Sequence, residues 1–316
     1  AFSRIAYPEM KRAGYKQTFS VGVVAGSACL GMLIPPSILL IVWAVLTELS
    51  VGALFIAGIV PGIVLALLFA GYVIIAAWWR PEIAPAFDAP LVQAGAAERR
   101  AEMIGGFGIL GLIFLVIGGL WFGMFTPTEA AGFGALGALL IGFLKGMRGR
   151  DMLNAIFQAG RTTAPILFLL ITAQMYSRLL AMGGAVNYIQ GMFMGIGLEP
   201  WMVIALMMAI WIVLGMLIDS VSIILLTVPI FAPMAMALGF DPIAFAIFGI
   251  LVIEAGLLTP PFGILVYTVK GALPDKTVTL GAIFKGATPY FVLILVASLM
   301  VLTMPWLATW LPKVML

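Results

Sequence analysis

Long apolar runs, parted by short polar clusters, dominate this chain. Residues 51–79, 103–128 and 286–312 contain no Asp, Glu, Lys or Arg. About 20 consecutive apolar residues are enough to cross the hydrocarbon core of a bilayer. The pattern predicts helices over 17–46, 51–79, 104–123, 128–145, 152–180, 199–218, 221–238, 243–270 and 286–309. Short amphipathic pieces are expected at 184–195 and 276–285. The fold class is therefore an all-α polytopic membrane protein, embedded in a lipid bilayer.

Two of these helices are interrupted in the same way. The stretches "GMLIPPSILL" (31–40) and "GLLTPPFGIL" (256–265) each hold a double proline inside an apolar run. Proline removes a backbone donor and clashes with the preceding turn. At an offset of 225, Pro8 meets Pro233, Gly14 meets Gly239, Tyr15 meets Phe240 and Gly31 meets Gly256. Leu33 meets Leu258, Pro35 and Pro36 meet Pro260 and Pro261, and Leu40 meets Leu265. At a slightly longer offset "SVGALF" (50–55) meets "TLGAIF" (279–284). The two segments form an internal repeat.

Loop charge gives each repeat a direction, because Lys and Arg favour the cytoplasmic side. Lys11, Arg12 and Lys16 form one basic group. Arg80, Arg99 and Arg100 form a second, Lys145, Arg148 and Arg150 a third, and Lys270, Lys276 and Lys285 a fourth. The loops "TELS", "FTPTE" and "GFDP" have no basic residue. Arg161 fits as a snorkelling residue; Arg178 and Lys313 stand apart from the pattern. The first repeat enters from a basic loop and leaves at "TELS", whereas the second enters at "GFDP" and leaves at a basic loop. The repeats are thus expected to be inverted, with broken helices meeting near the midplane, an arrangement typical of secondary transporters.

Composition narrows the chemistry. The chain is 64% hydrophobic and 9% charged, with a net charge of +3 distributed over loops. That charge reads as membrane topology, with no nucleic-acid partner. A single cysteine, Cys29, excludes an intrachain disulfide, and with no histidine a transition-metal centre or histidine relay is excluded as well. No convincing nucleophile–base pair is present, so an enzyme is not expected. An ion channel would need pore-lining rings or a filter, and none is visible.

Residues 200–234 read as two apolar limbs meeting at a short polar turn with Asp219, Ser220 and Ser222. This predicts a re-entrant hairpin. By the repeat, the equivalent tip and first limb of repeat 1 would precede residue 1, so the chain is expected to be the C-terminal portion of a longer protein. Asp219 has two readings, as N-cap of the second limb and as an ion ligand. Glu254 is a second intramembrane carboxylate, either accepting hydrogen bonds from amides at the break or taking part in ion or proton coupling. Pro127 and Glu129 are expected in the opening turn of a helix. Trp78 and Trp79 beside Arg80 read as an interfacial anchor, and "GIVPG" (58–62) fits a small-residue packing face.

The segments "PEMKRAGYKQTFS…GMLIPPSILL", "GMFTPTEAAGFGAL" and "IEAGLLTPPFGILVYTVKG" resemble the large membrane subunit of tripartite ATP-independent periplasmic (TRAP) transporters. The resemblance implies a sodium-coupled inner-membrane importer of small organic acids. It also implies an elevator mechanism, with a small membrane subunit and a periplasmic substrate-binding protein as partners. No organic cofactor is implied; sodium is the coupling ion. The family's sodium sites map onto Gly31, Met32, Ile34, Pro35 and Ser37, and onto Asp219, Ser220, Gly256, Leu257, Thr259 and Pro260. Pro36, Ser222 and Pro261 are the implied substrate-facing positions. The implied division is 1–46 as repeat 1 of the transport domain and 47–180 as scaffold and connecting helices. It continues with 181–270 as repeat 2 and 271–316 as a C-terminal scaffold helix. A single-component sodium/dicarboxylate symporter of related architecture is the rival reading.

The topology makes a direct prediction. In a Cys29→Ala background, cysteines replacing Glu48 and Asp241 should react with an impermeant thiol reagent from the periplasmic side. Cysteines replacing Lys11 and Lys276 should stay protected until the membrane is opened. Labelling of position 11 from outside would overturn the assignment.

Overall fold

The computed structural model describes residues 2–85, 96–195 and 199–315; the side chains of Arg99 and Arg100 lie outside the described residues. The described chain is helical, with no strand among the described residues. In order the helices are α1 (Phe2–Arg12), α2 (Gln17–Ala28), α3 (Leu30–Leu33), α4 (Ile38–Thr47), α5 (Val51–Ala57) and α6 (Ile59–Trp79). They continue with α7 (Ala96–Trp121), α8 (Pro127–Leu144), α9 (Gly149–Met182), α10 (Ala185–Gly195) and α11 (Pro200–Gly215). The last are α12 (Ser220–Ala237), α13 (Pro242–Gly256), α14 (Ile264–Ala272), α15 (Leu280–Thr303) and α16 (Trp306–Met315). Among the described residues, five helices are long and apolar enough to cross a membrane, or six if the bent pair 17–33 and 38–47, with its 41° break, is one span.

Two predicted boundaries need correction. The amphipathic piece expected at 276–285 is a loop running into α15, which starts at Leu280 because the Thr279 side chain accepts from the Ala282 amide at 3.2 Å. The last helix stops at Thr303 and resumes at Trp306, with Pro305 between; proline disfavours helical geometry in the residue before it. The segment 51–79 is one apolar span as expected, with a one-residue interruption at Gly58, whose backbone stays helical.

Two compact units are present: residues 1–88 with 173–314, and residues 89–172 with 315–316. In the second unit, the turn before α8 is closed by a capping box. The Glu129 amide donates to Thr126 Oγ1 at 3.3 Å, and the Thr126 amide donates to Glu129 Oε2 at 2.8 Å. Pro127 occupies the first helical turn, as expected. Glycines let α7 and α8 approach closely: a Cβ on Gly137 would lie 2.4 Å from Leu112, and one on Gly134 3.0 Å from Val116.

In the first unit the helix stop that opens each copy of the sequence repeat is reproduced bond for bond. Ala13, Gly14 and Tyr15 donate their amides to the carbonyls of Glu9, Lys11 and Met10. Leu238, Gly239 and Phe240 donate theirs to Met234, Met236 and Ala235, each 225 positions on. Gly14 and Gly239 both take positive φ, 77° and 88°, the left-handed helix stop that glycine adopts without a Cβ penalty. In the first copy α2 and the short α3 lead to the double-proline break, and in the second α13 alone does; each break has a cis Pro–Pro bond and is followed by a further helix.

The core of this unit is α13, in which every residue from Ala244 to Gly256 is buried. Helices α3, α4, α5, α11, α12 and α15 pack around it. Trp43, Trp211, Phe245 and Phe248 form one aromatic cluster with ring centroids 5.5 to 6.0 Å apart in the pairs Trp43–Trp211, Trp43–Phe245, Trp211–Phe245 and Trp211–Phe248. Helix α2 lies on α15 with backbone in contact at Gly22 and Gly286. At one end, Asp275 accepts from Lys11 Nζ at 2.5 Å and from the Tyr7 hydroxyl at 3.1 Å. Those bonds, led by Lys11 and then Thr277, hold the Asp275 carboxyl below the usual carboxylate range. Its contribution is therefore present above the ordinary carboxylate pKa and lost only as pH falls through the lowered one. The same pair puts the end of α1 beside the loop that carries Lys276, as the shared cytoplasmic assignment of Lys11 and Lys276 requires.

Backbone also meets backbone where α11 crosses α13. A Cβ on Gly215 would lie 2.7 Å from Gly256 Cα and 3.0 Å from the Ile253 carbonyl oxygen. Neither neighbour can rotate away, so Gly215→Ala should destabilise by about 1–3 kcal/mol. Gly132 in α8 has open space around it, so Gly132→Ala should be neutral or slightly stabilising. Thermal unfolding of the two variants in detergent compares them directly; equal melting temperatures would refute the contact.

Candidate functional site

The predicted site residues fall into two groups, one at each break. At the first, α3 ends with the Ile34 amide donating to Leu30 O at 3.0 Å. Pro35 and Ser37 are buried, while Gly31, Met32, Ile34 and Pro36 are exposed. The Ser37 hydroxyl donates back to the Met32 carbonyl and ties the two sides of the break together. The "GIVPG" face packs here: a Cβ on Gly58 would lie 2.7 Å from the Leu33 carbonyl oxygen, and one on Gly62 3.0 Å from Ile34.

At the second break α13 ends in a tightened turn. Leu258 and Thr259 donate their amides to Ala255 and Gly256, both at 3.0 Å, and the Thr259 hydroxyl also donates to Gly256 O at 2.5 Å. Leu257 is buried, Thr259 half-buried, and Pro260 and Pro261 exposed. Gly263, with φ of 50°, restarts the chain as the N-cap of α14. Among the described residues, no hydrogen bond ends on the carbonyls of residues 33–36 or 257–262. Each break therefore carries a run of backbone acceptors without protein donors.

The hairpin tip docks onto this second break. Helix α11 has 16 residues and α12 has 18, about 24 and 27 Å of helix against a hydrocarbon core of about 30 Å. Residues 216–219 join them. Asp219 caps α12, accepting from the Ser222 amide at 3.1 Å and the Ser222 hydroxyl at 2.5 Å. The Gly263 amide donates to the Met216 carbonyl at 3.2 Å, tip to break. Ser220 Oγ donates to Glu254 Oε1 at 2.7 Å in the interior. Asp219 itself is exposed and Ser222 half-buried. The tip and the second break thus bring together Asp219, Ser220, Ser222, Glu254, Gly256, Leu257 and Thr259. Of the two readings of Glu254, its recorded side-chain bond is to the tip serine and not to a backbone amide.

The groups meet at equivalent positions. Cys29 Sγ approaches the Glu254 carbonyl oxygen at 3.9 Å, and these residues are 225 apart, the repeat offset itself. The two copies therefore touch through matched residues just before their breaks. The sequence reading did not identify the aromatic cluster that seats the hairpin, although Trp43, Trp211 and Phe245 all lie in the segments it assigned to the site. It also missed the limb-to-limb bond from Trp211 Nε1 to Thr227 Oγ1 at 2.8 Å.

Comparison with known proteins is consistent along the chain. Residues 1–307 match the family model "Tripartite ATP-independent periplasmic transporter, DctM component". The chain is 33% identical over 315 residues to the C4-dicarboxylate TRAP transporter large permease protein DctM of Pseudomonas aeruginosa, covering 99% of this chain and 72% of that protein. It is 30% identical to the sialic acid TRAP transporter large permease protein SiaM of Vibrio cholerae, covering 97% of this chain and 70% of that one. It is 30% identical to the ectoine TRAP transporter large permease protein TeaC of Halomonas elongata, at 93% and 68% coverage. These relatives are permease proteins and not enzymes.

Capping and charge at the tip can be separated. Asn caps a helix as well as Asp does, whereas Ala does not. Asp219→Asn should keep the melting temperature near wild type, and Asp219→Ala should cost about 1 kcal/mol. Thermal unfolding of both variants tests this; equal loss in both would assign stability to the charge and not the cap.

Proposed function

This chain belongs to the family of DctM components of tripartite ATP-independent periplasmic transporters, and from that premise we propose that it carries the ion and substrate sites of a sodium-coupled importer of a small organic acid. It works in the inner membrane with a small membrane subunit and a periplasmic protein that delivers the solute. Residues 1–46 and 181–270 form the moving transport body, and 47–180 with 271–316 the static one, in an elevator cycle. The separate packing of residues 89–172 supports this division for that stretch alone; residues 47–88 and 271–314 pack in one unit with the moving segments.

One observation carries the reading: two proline breaks stand at matched positions of the repeat, and among the described residues each presents carbonyls with no protein donor. Non-helical backbone at membrane depth is tolerated where protein or a polar cavity surrounds it. Oxygen ligands suit a hard cation, by the logic that governs calcium and magnesium. A sodium ion at the second break would be held by the Leu257 and Thr259 region, the Gly256 backbone and the tip oxygens of Asp219 and Ser220. The first break would use Gly31, Met32, Ile34, Pro35 and Ser37. Pro36, Pro261 and Ser222 then face the substrate. An ion joining tip to break favours the closed transport body, which links occupancy to conformation through differential affinity for the two states. The fit to large permeases of the tripartite family along residues 1–307 favours this assignment over a single-component symporter.

The test is uptake of a C4-dicarboxylate by proteoliposomes holding the complete membrane complex and its binding protein, with sodium replaced by choline in the control. Uptake should require sodium. Thr259→Val removes one oxygen at nearly constant volume and should raise the half-saturating sodium concentration about tenfold, with assembly intact. Thr259→Ser should restore it. Uptake at full rate in choline would overturn sodium coupling, and a wild-type sodium response in Thr259→Val would remove that hydroxyl from the site.

A further inference from the structure

Glu254 is 2% exposed, on the helix whose residues Ala244–Gly256 are all buried. Its surroundings hold no basic partner. Helices α3, α4, α5, α11 and α12 carry no ionisable residue. Helix α14 carries Tyr267 and Lys270, and Lys270 is taken by the carbonyls of Lys276 and Val278. Helix α15 carries Lys285 and Tyr290; among the described residues no ion pair forms with Glu254. From the α2–α3 junction, Cys29 lies against its backbone oxygen. Asp219, next to Ser220, is exposed and bonded to Ser222. An unpaired carboxylate in a membrane interior is expensive and marks function by default. Here its one recorded side-chain bond is to Ser220, the buried residue of the hairpin tip, at 2.7 Å.

We propose that Glu254 is a positioning residue of the second cation site, acting through Ser220. This rests on the sodium reading above and adds what that reading leaves open: why a carboxylate stands behind the ligands. A serine hydroxyl has one proton and two lone pairs, and a carboxylate accepts only. The Glu254 bond therefore commits the Ser220 proton to the side away from the ion and leaves the hydroxyl oxygen as a pure acceptor toward it. A hydroxyl free to rotate would present its proton to the cation part of the time. The bound cation also provides the positive charge that the buried carboxylate otherwise lacks, across a single intervening oxygen and in a medium of low dielectric. Repeat 1 has Cys29 at the same position, so this device belongs to the second site alone, and the two sites differ in affinity.

A purely structural Glu254 would act as a tie holding the tip to α13. Glu254→Gln separates the roles, because glutamine keeps the shape and the hydrogen bond but brings a donor amide that lets the serine proton turn either way. The measurement is thermal stabilisation of the purified complete membrane complex, titrated with sodium chloride against choline chloride at constant ionic strength. Glu254→Gln should raise the sodium midpoint about tenfold while leaving the stabilisation at saturating sodium unchanged. Ser220→Ala should raise the midpoint similarly, and the double variant should be no worse than Ser220→Ala alone. A lower melting temperature with an unshifted midpoint would make Glu254 a structural tie and overturn the proposal. Additive shifts in the double variant would overturn the route through Ser220. Should Glu254→Gln fail to assemble, Ser220→Ala decides: an unchanged midpoint there overturns the proposal. A wild-type complex with no sodium-dependent stabilisation would sink the sodium reading itself, a result distinct from an unshifted variant.

Discussion

A helix interrupted inside an apolar medium must hide or use the carbonyls it releases. Most of the first unit can be understood as the consequence. Helix α13 ends at Gly256 in a break with unclaimed carbonyls, and the whole run from Ala244 to Gly256 is wrapped by six other helices. The wrapping has to be close, so it is made by glycine against glycine at 215 and 256 and by an aromatic cluster around Gly249, where a Cβ would lie 2.5 Å from Trp43 and 2.8 Å from Trp211. The hairpin then reaches the break with polar groups at its tip: the Met216 carbonyl receives the Gly263 amide, and Ser220 reaches Glu254. Rigid apolar packing sets the height of the tip, and a few polar bonds set its angle.

The repeat extends this logic to the first break. Because the matched residues Cys29 and Glu254 touch, the two copies pack through equivalent positions and not through unrelated faces. The carbonyls set free at each break therefore lie on chains that meet in the interior of one unit. The Gly14 and Gly239 helix stops fix where each copy turns before its broken helix, and their bonding patterns agree residue for residue. A turn shifted by one residue would rotate the following helix by about 100° and move its break off the shared face.

Much of this was legible in the sequence because it depends on residues with few roles. Two double prolines, two glycine stops and a constant offset of 225 report backbone geometry directly. The pairing of α11 and α12 was legible from the short polar turn between two apolar limbs, the cap at Asp219 from its place before an apolar run, and Glu129 from its place in an opening helical turn. The aromatic cluster was not, since Trp43 and Trp211 are 168 positions apart in chains of apolar residues where an aromatic ring carries no directional signal. The Ser220–Glu254 bond was missed for a related reason. Each residue was singled out alone, but their pairing depends on how α11 and α13 cross, and that crossing is decided by the absence of two side chains. The boundary errors had two causes: the Thr279 cap starts a helix that hydropathy alone would begin later, and Pro305 interrupts an apolar run that hydropathy reads as continuous.

The two breaks share a double proline and differ in how the gap is closed, and that difference bears on mechanism. At the first, Ser37 donates across the break to Met32, so the hydroxyl closes the gap it sits in. At the second, the Thr259 hydroxyl folds back onto the turn before the break and leaves the gap open, with Gly263 supplying the left-handed restart. The second break is spanned by another element, the hairpin tip, through the Met216 carbonyl. Opening the first break requires a change within one segment, whereas opening the second requires the tip to move relative to α13. A site built between two elements can report its occupancy to both; a site closed within one segment reports only to its neighbours. On the proposed reading, an ion at the second break is therefore the one whose binding changes how the hairpin sits. The contact most exposed to that change is the buried bond between Ser220 and Glu254.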